Sequence, residues 1–177
     1  MTEIKLEDPN MAFARDLFIF GCWTGISFID IKNLTEDNIS IVNDAPWIIS
    51  KRQKTGVPFQ IKLMDIPMLI IERYKSFRKD NHLFNIGNLD SINKRIKKVA
   101  AMCGIKKRVS FHVSRHSWAV LALEYGMPIE SVSKILGHTN ITTTQIYAKV
   151  TSTKLDHDIS VFENRIKGNL PVMGGMA

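Results

Sequence analysis

The chain has 177 residues, 45% apolar and 23% charged, which is enough for one packed domain and too apolar for a chain whose main state is disordered. Its 24 Lys and Arg against 17 Asp and Glu give a net charge of +7. That surplus favours a polyanionic partner but does not by itself separate nucleic acid from an anionic membrane surface. The densest apolar run, residues 17–23, is far shorter than the roughly 20 residues of a membrane span, and the first eight residues lack the basic-then-apolar order of an export signal. Cys22 and Cys103 stand outside any CxxC pair, which argues against a disulfide framework and a cysteine zinc site; both are expected to be small buried hydrophobes in a reducing compartment.

Residues 8–10 offer a cap ahead of a helical pattern with Phe13, Leu17 and Phe20 on one face, ended at Thr24-Gly25, and a second short helix is expected over 27–34. Residues 37–41 read as a turn and then a strand. Residues 47–52 and 57–63 are β-like runs around Gln53-Lys-Thr-Gly56, a hairpin signal. Pro67 opens a helix expected to place Leu69, Ile70, Tyr74 and Phe77 on the core. Residues 88–102 carry Ile92, Ile96, Val99 and Ala100 at helical spacing. Further helices are expected over 111–125, 128–136 (stopped by Gly137), 141–148 and 151–166. The fold class is therefore α+β, mainly α-helical, with one small antiparallel β-sheet. One domain is expected over 1–167, with a flexible tail over 168–177.

Three patterns follow one another in the C-terminal half: His112-Val-Ser-Arg115-His116 at a helix start, Leu136-Gly137-His138 at a helix end, and Tyr147 beyond it. Positions i and i+3 share a helix face, so His112 and Arg115 project together, placing an acid/base group beside a permanent cation. Taken singly each pattern has a plain structural account: a satisfied helix histidine, a glycine helix stop, a half-buried tyrosine. The three in this order are far more specific. The His112/His116 pair lacks the Glu of HExxH, so no metal and no cofactor is expected.

The run His112-x-x-Arg115-His116, Leu136-Gly137-His138, Tyr147 resembles the C-terminal motif set of the tyrosine recombinase, or phage-type integrase, family. Upstream, Phe20-Gly-Cys-Trp-Thr24-Gly25-Ile-Ser-Phe-Ile-Asp30-Ile-x-x-Leu34 resembles its first motif block, and Arg52-Gln-Lys54-Thr55 falls where the family carries a hairpin lysine. The similarity covers about residues 10–165 and is greatest to integrases of bacterial mobile elements such as conjugative transposons. One position departs: the family's arginine after Thr-Gly-x is Ser27 here, and a serine supplies no cation. Arg52 is the proposed replacement, because residues two apart on a strand face the same way and Arg52 can share a face with Lys54.

The resemblance implies the catalytic-domain fold of that family and attack by the Tyr147 hydroxyl on a DNA phosphodiester, with a 3′-phosphotyrosyl link formed and a 5′-hydroxyl released. Rejoining reverses the step, so no ATP is needed and integration or excision of a mobile element results. A phenol titrating near 10 is a weak nucleophile at neutral pH unless cations surround it. By resemblance Arg115 holds nonbridging oxygens, Lys54 on a mobile turn is the general acid, His112 is an acid/base or phosphate donor, and His138 bonds a nonbridging oxygen. His116 receives no role beyond supporting its helix.

Lys51, Lys94, Arg95, Lys97, Lys98, Lys106, Lys107 and Arg108 are expected to follow the backbone of double-stranded DNA, with steep salt dependence. The resemblance also implies a DNA-clamp domain ahead of the catalytic one, which this chain is expected to lack, and a tetramer on DNA. The isolated chain is expected to be a monomer with Ile159, Phe162 and Ile166 of the last helix docked on its own domain. A cytoplasmic, nucleoid-associated bacterial protein with no membrane partner is expected. Two other readings compete: a non-catalytic helix-turn-helix binder over 129–136 and 141–148, whose second helix opens Ile141-Thr-Thr-Thr-Gln145 and would read bases poorly, and an integrase-like protein weakened by Ser27.

Overall fold

Asp8 accepts a hydrogen bond from the Asn10 backbone at 2.8 Å and Pro9 takes the first helical position, so helix α1 (Pro9–Thr24) starts where its cap residues predict. The computed structural model describes residues 1, 4–148 and 152–167. α1 is apolar around most of its circumference, with Leu17, Phe18, Ile19 and Phe20 all buried, and it runs through the middle of the domain against α3 (Asp65–Tyr74), α4 (Leu89–Met102) and α5 (Phe111–Glu124). Gly21 permits the approach to α5: a Cβ there would lie 2.4 Å from Ser114 Oγ. The one carboxylate on this buried helix, Asp16, is satisfied by Arg15 at 2.7 Å, Arg73 at 2.7 Å and the Tyr74 hydroxyl at 2.9 Å, which fastens α3 to α1.

α2 (Phe28–Lys32) follows Gly25, whose left-handed backbone ends α1. Strands β1 (Ile39–Val42), β2 (Ala45–Lys51) and β3 (Pro58–Lys62) form one antiparallel sheet in that order. Ile48 pairs with Ile39 on one side and Ile61 on the other, and Ile48, Phe59 and Ile61 turn inward, so the alternation that suggested strands also fixes the buried face. β1 and β2 are joined by Asn43 and Asp44, both at positive φ, the backbone a two-residue hairpin turn requires. The β2–β3 hairpin is closed by Arg52 N to Val57 O and Gly56 N to Arg52 O, each 2.8 Å, leaving Gln53, Lys54 and Thr55 at the tip.

The remaining helices are α6 (Ile129–Leu136), α7 (Thr142–Gln145) and α8 (Ser152–Lys167). The mainly helical fold with a small antiparallel sheet agrees with expectation. Four local expectations are corrected. Leu69 and Phe77 are exposed, because the buried stripe of α3 runs through Pro67, Ile70 and Ile71 and the chain tightens into a 3₁₀ turn after Tyr74. α7 is a single turn rather than eight residues. Cys22 and Cys103 are only half-buried, although burial still pushes the Cys22 thiol up to about 12. Ile159 and Phe162 of α8 are 55% and 64% exposed, not docked on the domain: with Asp156, His157, Asp158 and Glu163 around it the stripe is too narrow to bury the helix. The expected tail, 168–177, lies outside the described residues. No helix among the described residues is long and apolar enough to cross a membrane.

Candidate active site

The site is assembled from the end of α1, the β2–β3 hairpin, the start of α5, the α6–α7 loop and the residues after α7. Its centre is Arg115, 4% exposed. One terminal nitrogen donates to Gly25 O at 2.8 Å; the other donates to Leu136 O at 2.7 Å and stands 3.0 Å from His138 Nε2. A single guanidinium thus joins the carbonyl at the end of α1, within the first motif block, to the Leu-Gly-His motif. All three acceptors are uncharged, and among the described residues the carboxylate that favours its charge, Asp30, is bonded to Arg52 rather than to it. Burial brings the Arg115 pKa down to about 10; the like charge of Arg52 adds to the fall, while Tyr147 and Asp30 oppose it.

Arg52 emerges at the end of β2 and forms an ion pair with Asp30. Asp30, buried on α2, also accepts from the Ser27 hydroxyl and, at 2.8 Å, from the backbone N–H of Gln53. Ser27, where the resemblance leads one to expect an arginine, and the arginine from the hairpin therefore meet on one carboxylate. The anchor at Gln53 fixes the base of the turn bearing Lys54. Sequence reasoning assigned Asp30 no role; the Ser27-x-x-Asp30 spacing at a helix start was the available signal. Gly137, left-handed at φ 61, lets the stem of Arg52 pass over the α6–α7 loop.

His138 is brought down to about 4, first by burial and then by Arg115 and Arg52. Its other ring nitrogen, Nδ1, lies 2.9 Å from the hydroxyl of Thr144, which is fully buried on α7. Tyr147 is 8% exposed, within electrostatic reach of Arg115, and its ring meets His116 edge-on at 4.9 Å between centroids. His116 thus has a contact that sequence reasoning did not foresee.

Arg52, Arg115, His138 and Tyr147 therefore share one electrostatic neighbourhood. His112 is exposed and lines, with Ser27, Asn93 and Arg115, a cleft of about 260 Å³ beside it. Lys54 is exposed at the hairpin tip, tied to the cluster only through the turn that Asp30 anchors. Lys51, Lys94, Lys97, Lys98, Lys106, Lys107 and Arg108 are exposed and Arg95 is half-buried. Two guanidiniums, an imidazole held neutral and a phenol form a site that can bind a phosphate oxyanion and present a hydroxyl nucleophile to it.

Residues 5–154 match the model of the phage integrase family. The tyrosine recombinase XerA of Pyrococcus horikoshii is 31% identical over 149 residues, which are 78% of this chain and 50% of that protein; the chain spans about half the length of that relative. Among solved structures, the XerH site-specific recombinase bound to palindromic difH substrate in a post-cleavage complex superposes with a TM-score of 0.73 at 18% identity, over 92% of this chain and 49% of that one. The Tn1549 transposon integrase in complex with circular intermediate DNA gives 0.67 at 17% identity, over 86% and 59%.

Proposed function

This chain belongs to the phage integrase family, and from that premise we propose that residues 1–167 are the catalytic domain of a tyrosine-type site-specific DNA recombinase that integrates or excises a bacterial mobile element. The observation that supports this reading is the placement of Arg115. It is buried, bonded only to neutral acceptors, and coupled at once to the first motif, to His138 and to Tyr147.

In the proposed reaction the Tyr147 oxygen attacks phosphorus, its proton passing to His112. A P–O bond to tyrosine forms as the P–O5′ bond breaks. The leaving 5′-oxygen takes a proton from Lys54, carried by the hairpin tip. Arg115 holds the nonbridging oxygens, where negative charge concentrates, and Arg52 supplies the second guanidinium that Ser27 cannot. The ion pair with Asp30 engages one terminal nitrogen of Arg52 and leaves its other N–H groups for phosphate. His138 contributes a further hydrogen bond. Attack by a 5′-hydroxyl of another strand reverses the steps and restores the phosphodiester, so energy is conserved in the covalent link.

Double-stranded DNA is the proposed substrate. Lys51, Lys94, Arg95, Lys97, Lys98, Lys106, Lys107 and Arg108 are proposed to line its backbone, each phosphate contact steepening log K against log salt by about 0.9. Assembly into a tetramer on DNA through α8, and action on nucleoid DNA in the bacterial cytoplasm, belong to the same proposal. The test uses a pool of nicked duplexes with a randomised core, in which cleavage releases a short fragment and traps the covalent complex. A protein–DNA adduct surviving denaturant with the native chain, and none with Tyr147→Phe, is expected. Equal adduct from both proteins removes Tyr147 as the nucleophile.

A further inference from the structure

His138 makes two side-chain hydrogen bonds, and the one to Arg115 determines where its proton sits. Arg115 can only donate, so His138 Nε2, 3.0 Å from the guanidinium, must present a lone pair. The neutral ring then carries its hydrogen on Nδ1, and the Thr144 hydroxyl 2.9 Å away is its acceptor. Thr144 is fully buried, and its own carbonyl accepts the Tyr147 backbone N–H at 3.0 Å. One residue therefore touches the imidazole with its side chain and the nucleophile's backbone with its main chain. Threonine on a helix commonly turns its hydroxyl to its own backbone; here the hydroxyl meets a ring across the α6–α7 loop.

We infer that Thr144 is a positioning residue for the reaction proposed above, on which this inference rests: its hydroxyl accepts the Nδ1 hydrogen that Arg115 imposes on His138 and ties the imidazole to the turn that presents Tyr147. The consequence is chemical. To donate to a phosphate oxygen, His138 must carry a hydrogen on Nε2. With Thr144 accepting at Nδ1, that state is reached by adding one proton from solvent at Nε2, with no ring flip and no exchange of partners at Nδ1. The phosphate supplies the negative charge that stabilises the resulting imidazolium. The charged and titratable groups around the ring are Arg115 from α5, within electrostatic reach of Tyr147, Arg52 from the hairpin with its partner Asp30, and Glu130 and Lys134 of α6, which line a cleft together with the ring. The two arginines oppose protonation before phosphate arrives, so the proton is taken up together with the substrate.

The test is made on the whole chain with its histidine rings labelled with ¹⁵N, the His138 signals being assigned by their loss in His138→Asn. At pH 7 the long-range ¹⁵N–¹H spectrum of the native protein is expected to show hydrogen on Nδ1 of His138. Thr144→Ser is expected to keep that pattern with a protected Nδ1 hydrogen, and Thr144→Val to leave the Nδ1 hydrogen without its acceptor, so that it exchanges faster with water. Covalent adduct formation should fall about 10–100-fold in Thr144→Val, the range for partners that orient a histidine, with a displaced pH profile and recovery in Thr144→Ser. Hydrogen on Nε2 in the native protein overturns the inference, as does a Thr144→Val protein whose Nδ1 hydrogen exchange and pH profile are unchanged. Should Thr144→Val not fold, the native spectrum and Thr144→Ala decide on the same criteria. Absence of adduct from every protein, with Nδ1 hydrogen exchange changing as expected, sinks the recombinase reading while upholding the hold of Thr144 on the ring.

Discussion

The aliphatic stem of Arg52 lies directly over Gly137. A Cβ at Gly137 would come within 2.6 Å of Arg52 Cγ and 2.8 Å of Cδ, and the backbone there is left-handed at φ +61. Glycine at this position thus both ends α6 and leaves a track for the hairpin arginine. Gly137→Ala is expected to destabilise the protein by about 1–3 kcal/mol through backbone strain and crowding, measured by urea unfolding. It should also lower adduct formation by displacing Arg52. Gly104→Ala is the control, because Gly104 is left-handed at φ +70 with nothing within 4 Å of its would-be Cβ. An equal effect of both variants on adduct formation would remove the functional reason for Gly137.

Asp30 decides how the first motif and the hairpin meet. Its carboxylate is buried and takes donors from Ser27, Arg52 and Gln53. Asp30→Asn keeps the shape but turns a donor toward Arg52 and leaves a nearly buried cation unpaired. A loss of roughly 3 kcal/mol is expected, as for other broken buried pairs. Arg52→Ala should cost less, because the remaining carboxylate keeps its bonds to Ser27 and Gln53. The double variant should be less destabilised than the two single losses added together, by about 1 kcal/mol or more; strict additivity would show that the ion pair is not felt. Native-level adduct from Arg52→Ala would dismiss Arg52 as the missing cation.

Much of this was legible in the sequence, for reasons that differ by element. The apolar residues of α1 and α4, with Asp8 and Asn88 as caps, specify those helices locally, and the hairpin tip is set by Gly56. Asn43-Asp44, the turn between β1 and β2, was passed over although both residues tolerate positive φ. Burial on α3 was misjudged because an apolar residue at the helix end, such as Phe77, belongs to the core only if the helix continues. The site residues with motif spacing were recognisable because each sits at a helix end or turn. Asp30 and Thr144 were not, since their importance comes from partners far along the chain (Arg52) or across a loop (His138), and no local pattern encodes that geometry.

The acid side of the stability curve is expected to carry the mark of His138. Burial, Arg115 and Arg52 hold its folded pKa at about 4, against an ordinary 6.5. Below pH 6.5 the unfolded chain binds a proton that the folded one refuses, so the stability contributed by neutral His138 is fully present above pH 6.5 and is lost as pH falls toward 4. Urea midpoints at pH 7, 6, 5 and 4.5 should fall more steeply for the native protein than for His138→Asn. Parallel curves would mean that the imidazole is solvated and titrates normally. Asp80 and Glu163, whose carboxyls are also held low by His82 and Lys167, affect both proteins alike and cancel in the difference.

The last helix bears on assembly. Ile159 and Phe162 are exposed on α8 and Ile166 is half-buried, so the apolar stripe has no extensive cover within the described part of its own domain. If a second copy covers it in the proposed DNA-bound tetramer, Phe162→Asp should leave the isolated chain nearly untouched, within about 0.5 kcal/mol, because an exposed side chain contributes little to folding. The same change should reduce the mass of protein–DNA complexes in sedimentation, since a carboxylate buried in an apolar contact without a partner is strongly disfavoured. A fall of several degrees in the melting temperature of the isolated chain would instead place Phe162 against its own domain. Complexes of undiminished mass would show that α8 does not join the copies. The two measurements separate the alternatives because only one of them contains DNA.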